Sequence, residues 1–245
     1  MANEVMLRLP GMEEYFTQEA YKFLRTNIQF CGADIKTIAI TSSGTNEGKT
    51  TISMHLAASL AELGKRVLLV DTDMRKSVMA GRYSNVKHPR GLSELLSGQC
   101  RVVDVLYRVQ EPRINIVFSG QYPPNPAELL SSNYFDQFIT SAKEIYDYIL
   151  LDTAPLGMVV DAAVVASKCD GAIFVIGEGV HAPQAQEVLD MLQKSGCKVL
   201  GAVMNQVGSR KKRVLSAVRE IRQVRQTLSG GGKVTARLAF AGTRC

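Results

Sequence analysis

Apolar residues recur along this chain in two rhythms, short unbroken runs and longer stretches spaced by three or four, and the two alternate from residue 13 to residue 204. Residues 13–30 place Tyr15, Phe16, Ala20, Phe23, Leu24, Ile28 and Phe30 at helical intervals with charges between them, which predicts an amphipathic helix ahead of the main body. Residues 36–41 form a β-branched run; a glycine-containing loop follows, then a helical pattern over 50–63 that stops at Gly64. Residues 67–70 are apolar throughout, as expected for a strand covered on both faces. The same reading gives strands at 114–118, 148–151, 171–176 and 199–204, separated by helical stretches near 91–97, 126–145, 160–168 and 183–195. Strands alternating with helices in this way predict an α/β fold with a mostly parallel sheet and helices on both faces. Ligands of such folds lie beyond the carboxyl ends of the strands.

Two polar segments sit at such strand ends. The first is Ser43-Gly44-Thr45-Asn46-Glu47-Gly48-Lys49-Thr50. In a loop of this form, consecutive backbone N–H groups turn inward around a phosphate while the following helix directs its positive end at the same anion, which narrows the fold to the P-loop NTPase type. Lys49 is expected to reach the β- and γ-phosphates of ATP and the Thr50 hydroxyl to ligate Mg²⁺, with Ser43, Gly44, Thr45, Asn46, Glu47, Gly48 and Thr51 completing the cradle. The second segment, Asp71-Thr72-Asp73-Met74-Arg75, closes the run at 67–70. Residues two apart in extended chain face the same way, so Asp71 and Asp73 offer two carboxylates to hold Mg²⁺ or its waters and to orient an attacking hydroxyl. Arg75 is placed to contact phosphate or pair with an acid; the plainer alternative for the segment is a solvated Asp-x-Asp turn with capping duties.

A third acid, Asp152, ends the run at 148–151 and fits the metal-side carboxylate that P-loop enzymes place beside the phosphate loop, which makes Thr50, Asp73 and Asp152 the expected metal set. Asn205 follows the last strand pattern, where its amide meets an adenine edge or simply forms a turn. His55, His88 and His181 form no motif. The five cysteines are scattered without Cys-x-x-Cys spacing and read as thiols without a function.

Charge changes the picture only at one end. The formal net charge is +6, yet residues 210–245 carry ten Lys or Arg against Glu220 alone, while the preceding 209 residues carry nineteen against 22 acids. A nucleic-acid or membrane surface can therefore rest only on that tail, and no specific nucleic-acid partner is expected. No apolar run reaches the roughly 20 residues of a membrane span, and the start lacks a signal-peptide pattern, which predicts a cytoplasmic chain. The organisation read from the sequence is a helical extension over 1–35, a P-loop domain over 36–209 and a basic tail over 210–245. Within the tail, Val214, Val218, Ile221, Val224 and Leu228 recur at helical spacing among arginines, the pattern of a basic amphipathic helix or of a solvated basic end. A displaced reading frame also accounts for it. Val214, Leu215, Val218, Ile221, Val224 and Leu228 are each followed by Leu, Ser or Arg, so aliphatic codons ending in TA would spell tyrosine at all six places one base along.

Taken together, the Ser43 loop, the Asp71-Thr72-Asp73-Met74-Arg75 segment and Leu150-Leu151-Asp152-Thr153 resemble the bacterial protein tyrosine kinases that regulate capsule and exopolysaccharide synthesis. The segments 19–27 (EAYKFLRTN) and 120–130 (GQYPPNPAELL) resemble the same family, and the likeness spans about residues 13–209. It implies Mg-ATP-dependent phosphorylation of tyrosine, with Lys49 and Thr50 on phosphate and metal, Asp71 activating the tyrosine hydroxyl, and Asp73 and Asp152 organising Mg²⁺. Also implied are tyrosine-containing protein substrates, a transmembrane modulator that recruits the kinase to the inner face of the membrane, and a ring-shaped homo-oligomer. The family's ring-forming helix reads Glu-x-x-Arg-x-x-Arg, whereas this chain has Glu19, Lys22 and Arg25, a lysine that keeps the charge without the planar fork. Members of the family usually end in a tyrosine cluster, but here the last tyrosine is Tyr148. Two other readings compete: a Min- or Par-type partition ATPase, whose loop carries a signature lysine where this chain has Gly44, and a catalytically weak interaction module of a polysaccharide export complex.

Overall fold

The computed structural model describes residues 3–9, 14–177 and 179–205, together with the backbone of Ala239 and Phe240. In chain order the elements are β1 (Asn3–Val5), α1 (Tyr15–Gln29), β2 (Thr37–Ser42), α2 (Lys49–Ala61), β3 (Val67–Asp71), α3 (Met79–Tyr83), α4 (Leu92–Leu96) and α5 (Val102–Val105). There follow β4 (Tyr107–Val109), β5 (Ile114–Val117), α6 (Pro126–Ser131), α7 (Asn133–Ile145), β6 (Tyr148–Asp152), α8 (Asp161–Ser167), β7 (Gly171–Ile176), α9 (Ala182–Lys194), β8 (Val199–Met204) and β9 (Ala239–Phe240). The basic helix pattern at 214–228 lies outside the described residues.

Among the described residues the sheet has nine strands in the order β1-β4-β5-β3-β6-β2-β7-β8-β9. All neighbours run parallel except β4 and β5. Alternation along each central strand sends successive side chains to opposite faces. Ile38 and Ile40 of β2, Val67 and Leu69 of β3, and Leu150 of β6 pack with α1 and α2. Leu68, Val70, Ile149 and Leu151 point the other way, toward α4, α7 and α8, while Ala39, Ala172 and Phe174 meet α8 and α9. This double covering is why the strands read as continuous apolar runs.

Helix α2 is apolar on nearly every side because the sheet covers one flank and α1 the other. Helix α1 buries Tyr21, Leu24 and Ile28, but Phe16, Phe23 and Phe30, seven residues apart, face outward. The sequence pattern had merged these into one apolar face; they are two.

Two further differences have local causes. The single helix expected over 126–145 breaks at Ser132, whose backbone is extended and whose Oγ accepts from Phe135 N at 3.4 Å while donating to Leu129 O at 2.7 Å. Serine thus closes one helix and caps the next. Strands β1 and β4 are three residues each, too short to show a period, and they form a sheet edge through pairing that only the folded chain brings about.

Candidate active site

The carboxyl ends of β2, β3 and β6 lie side by side and open onto a cavity of about 800 Å³. Thr45, Asn46, Gly48, Lys49, Thr50, Thr51, Asp71, Asp73, Arg75 and Asp152 line it, so most of the residues singled out in the sequence converge. Ser43, Gly44, Glu47 and Asn205 do not line it; Glu47 and Asn205 hold the loop from behind.

The loop leaves β2 at Ser42 and turns into α2 through Gly48, which has φ +91°. A Cβ at Gly48 would lie 1.8 Å from Asn205 Nδ2, so glycine is required by space as well as by conformation. Asn205 donates its amide to Glu47 O at 3.0 Å, and its own N–H bonds Ile176 O, tying the loop to the end of β7. The Glu47 side chain turns inward, accepting from Gly44 N and, at 3.2 Å, from Gly177 N. Burial raises its carboxyl above the usual range against the pull of those donors.

Lys49 folds back along the loop. Its Nζ donates to Ser42 Oγ at 2.9 Å and to Gly44 O at 3.3 Å, and burial lowers its proton affinity despite the charges of Asp152 and Asp73. Ser43 Oγ is buried and has no partner among the described residues.

Asp71 and Asp152 are register partners on adjacent parallel strands and only 1% and 2% exposed. Thr50 Oγ1 donates to Asp152 Oδ2 at 2.6 Å and Ser53 Oγ to Oδ1 at 3.0 Å. Asp71 accepts from Asp73 N at 3.1 Å and from Ser77 Oγ. Burial first, then the neighbouring acid, pushes Asp71 well above the ordinary carboxylate range; burial raises Asp152 to about 6. Hydroxyl and carboxylate oxygens at Thr50, Asp73 and Asp152 are the hard donors that Mg²⁺ prefers.

Three further side chains are engaged within the chain. Asp73 closes a turn, accepting from Arg75 N at 3.2 Å and Lys76 N at 3.0 Å, while still lining the cavity. Arg75 pairs with an acid: its Nε and Nη2 reach the two oxygens of Asp161 at 2.6 and 3.1 Å. Thr51 Oγ1 bonds Tyr83 OH at 2.6 Å. Ser53, Ser77, Tyr83 and Asp161 were not singled out in the sequence, because no motif marks them.

A family model described as an AAA domain matches residues 35–194. The tyrosine-protein kinase CpsD of Streptococcus agalactiae is 43% identical over 192 residues, covering 78% of this chain and 84% of that protein. The chain belongs to the bacterial tyrosine-protein kinases. Its fold agrees: the kinase domain of the Escherichia coli tyrosine kinase ETK superposes with a TM-score of 0.75 at 31% identity, covering 79% of this kinase and 76% of that domain. The septum site-determining protein MinD of Pyrococcus horikoshii, solved with Mg-ADP, superposes with a TM-score of 0.60 at 26% identity and covers 73% of this kinase and 72% of its own chain. Partition ATPases therefore share the kinase's P-loop architecture. Relatives of both kinds imply that this chain binds nucleotide, and the rival reading was drawn from a related branch of the same fold.

Proposed function

We propose that this kinase transfers the γ-phosphoryl group of Mg-ATP to tyrosine hydroxyls, in the service of capsular or exopolysaccharide synthesis. The observation that carries the reading is the buried Asp71–Asp152 pair, in register beside Lys49 at the mouth of the phosphate loop. Asp71 is the general base: raised well above an ordinary carboxylate, it has the proton affinity to take the phenol's proton as the tyrosine oxygen attacks. Lys49 leaves its neutral loop partners for the phosphate oxygens and neutralises charge there. Thr50, Asp73 and Asp152 hold Mg²⁺, which when bound offsets charge on the phosphates. Backbone N–H groups of Thr45, Asn46, Gly48, Lys49 and Thr50 cradle the phosphates, and Arg75, braced by Asp161, stands at the rim. Asn205 follows β8, buried with its amide donated to Glu47 O, so its part is to brace the loop rather than to meet an adenine edge.

The partner is a transmembrane modulator that brings the kinase to the inner face of the membrane. No helix among the described residues is long and apolar enough to cross a membrane. A homo-oligomeric ring is supported by Phe16 and Phe23, which face outward one heptad apart on α1. The expected family charges on that helix are spent within the chain: Lys22 pairs with Glu19 at 2.8 Å, and Arg25 bonds Ser59 O and Glu62 of α2 and the turn after it. The apolar row, rather than those charges, is the contact surface.

The test is direct. Incubated with labelled ATP, Mg²⁺ and a tyrosine-rich polymer, the kinase labels tyrosine, and Lys49→Met or Asp71→Asn lowers the rate by about two to four orders of magnitude. Hydrolysis stimulated by DNA or lipid with no phosphotyrosine would instead assign the site to a partition ATPase.

A further inference from the structure

The chain has eight tyrosines and none beyond residue 148. Tyr21, Tyr83, Tyr107 and Tyr146 are buried and Tyr148 is half-buried, which leaves Tyr15, Tyr122 and Tyr134 exposed. Of those three, Tyr122 lines the cavity that also contains Lys49, Asp71 and Asp152. Tyr15 begins α1, and Tyr134 borders a separate apolar groove beside α7. Tyr83 reaches the same cavity as Tyr122, but its ring is enclosed and its hydroxyl is bound to Thr51.

The loop that presents Tyr122 is tethered. Glu94 accepts from Gly91 N at 2.9 Å, from Ser93 Oγ at 3.0 Å and from Gln121 N at 3.2 Å, while Ser93 N bonds Ser119 O. Gly120 has φ +81°, and a Cβ there would lie 2.0 Å from Glu94, so the loop passes close against α4 at this glycine. Pro123 and Pro124 follow with fixed φ. A ring that is 64% exposed, on a loop anchored one residue away, reaches the cavity with little conformational freedom to lose. Arg75 lines the same cavity and offers a cation to a phosphate placed there.

We propose that Tyr122 is an acceptor of this kinase's own phosphoryl transfer, a self-modification site at the rim of the nucleotide cavity. The inference rests on the kinase reading above. The phenol oxygen of Tyr122 attacks the γ-phosphorus of ATP, and the bond from that phosphorus to the β,γ-bridging oxygen breaks. ADP departs with that oxygen, and the phenolic proton passes to the Asp71 carboxylate. The product is a phosphotyrosine ester at the rim of the cavity that Arg75 also lines. Its two negative charges compete with Asp161 for the guanidinium.

The experiment incubates the full chain with ATP and Mg²⁺, maps phosphotyrosine by peptide mass spectrometry, and assays a poly(Glu,Tyr) polymer in parallel. Phosphate is expected on the peptide containing Tyr122, at about tenfold or more over Tyr15 and Tyr134. Tyr122→Phe is expected to lose that label and still phosphorylate the polymer. Label on Tyr15 or Tyr134 without Tyr122, beside a labelled polymer, overturns this proposal and leaves the kinase reading standing. Loss of polymer labelling in Tyr122→Phe makes the residue part of the transfer machinery and overturns it as well. No phosphotyrosine on either chain or polymer overturns both.

Discussion

Setting Asp71 and Asp152 next to one another inside the sheet works against the folded chain, because burial disfavours the charged form of each. Burial moves Asp152 from 3.8 to about 6, and Asp71 shifts in the same direction. A carboxyl with a raised folded-state value adds stability that is complete below its unfolded value and is lost as pH rises through the folded one. The ligand-free kinase should therefore lose stability from about pH 4 upward through about pH 6, on the order of 3 kcal/mol for a two-unit shift. Asp152→Asn, neutral at every pH, should flatten that decline in urea denaturation and leave the ligand-free variant more stable than its parent near neutrality; identical pH slopes would place the origin elsewhere. Lys49, Thr50, Asp71, Asp73 and Asp152 were legible as residues because each belongs to a short motif at a strand end. Ser53 and Asp161 were not, since their partners lie 99 and 86 positions away and pairing over such distances exists only in the fold.

At the scale of elements, the six central strands could be placed to within a residue or so, because a strand covered on both faces must be apolar throughout. The phosphate loop was legible for a different reason: its glycine answers a backbone demand. With φ +91° and Asn205 Nδ2 in the space a Cβ would take, Gly48→Ala should cost about 1–3 kcal/mol and weaken nucleotide binding at least tenfold, measured by thermal unfolding with and without nucleotide. A stable variant with unchanged affinity would mean that the loop yields freely. What the periodicity hid was division. Residues 126–145 carry one continuous helical pattern, yet Ser132 splits them, because a side-chain oxygen competes for backbone donors that the pattern of apolar positions does not register. The short elements α3, α5, β1 and β4 were equally silent, being less than two turns or three residues long.

Among the described residues the sheet is covered on both sides, and Phe16 and Phe23 of α1 still face outward, Phe16 being 85% exposed. Large aromatic side chains in a row at seven-residue intervals mark a surface that gains by being covered. Phe16→Glu with Phe23→Glu should convert an oligomer to monomer in sedimentation while leaving the fold intact by circular dichroism; a parent chain that is already monomeric at tens of micromolar, roughly, would remove the basis for a ring. The sequence by itself determined the parallel α/β architecture, the phosphate loop and the acids that face it, since burial on two faces, a φ that only glycine accepts readily and charge at strand ends each restrict residue choice locally. Tertiary structure alone decided which side chains brace those acids, which aromatics of α1 stay outside and which tyrosine stands at the cavity. Those outcomes depend on contacts between distant segments, which the order of residues leaves open until the chain has folded.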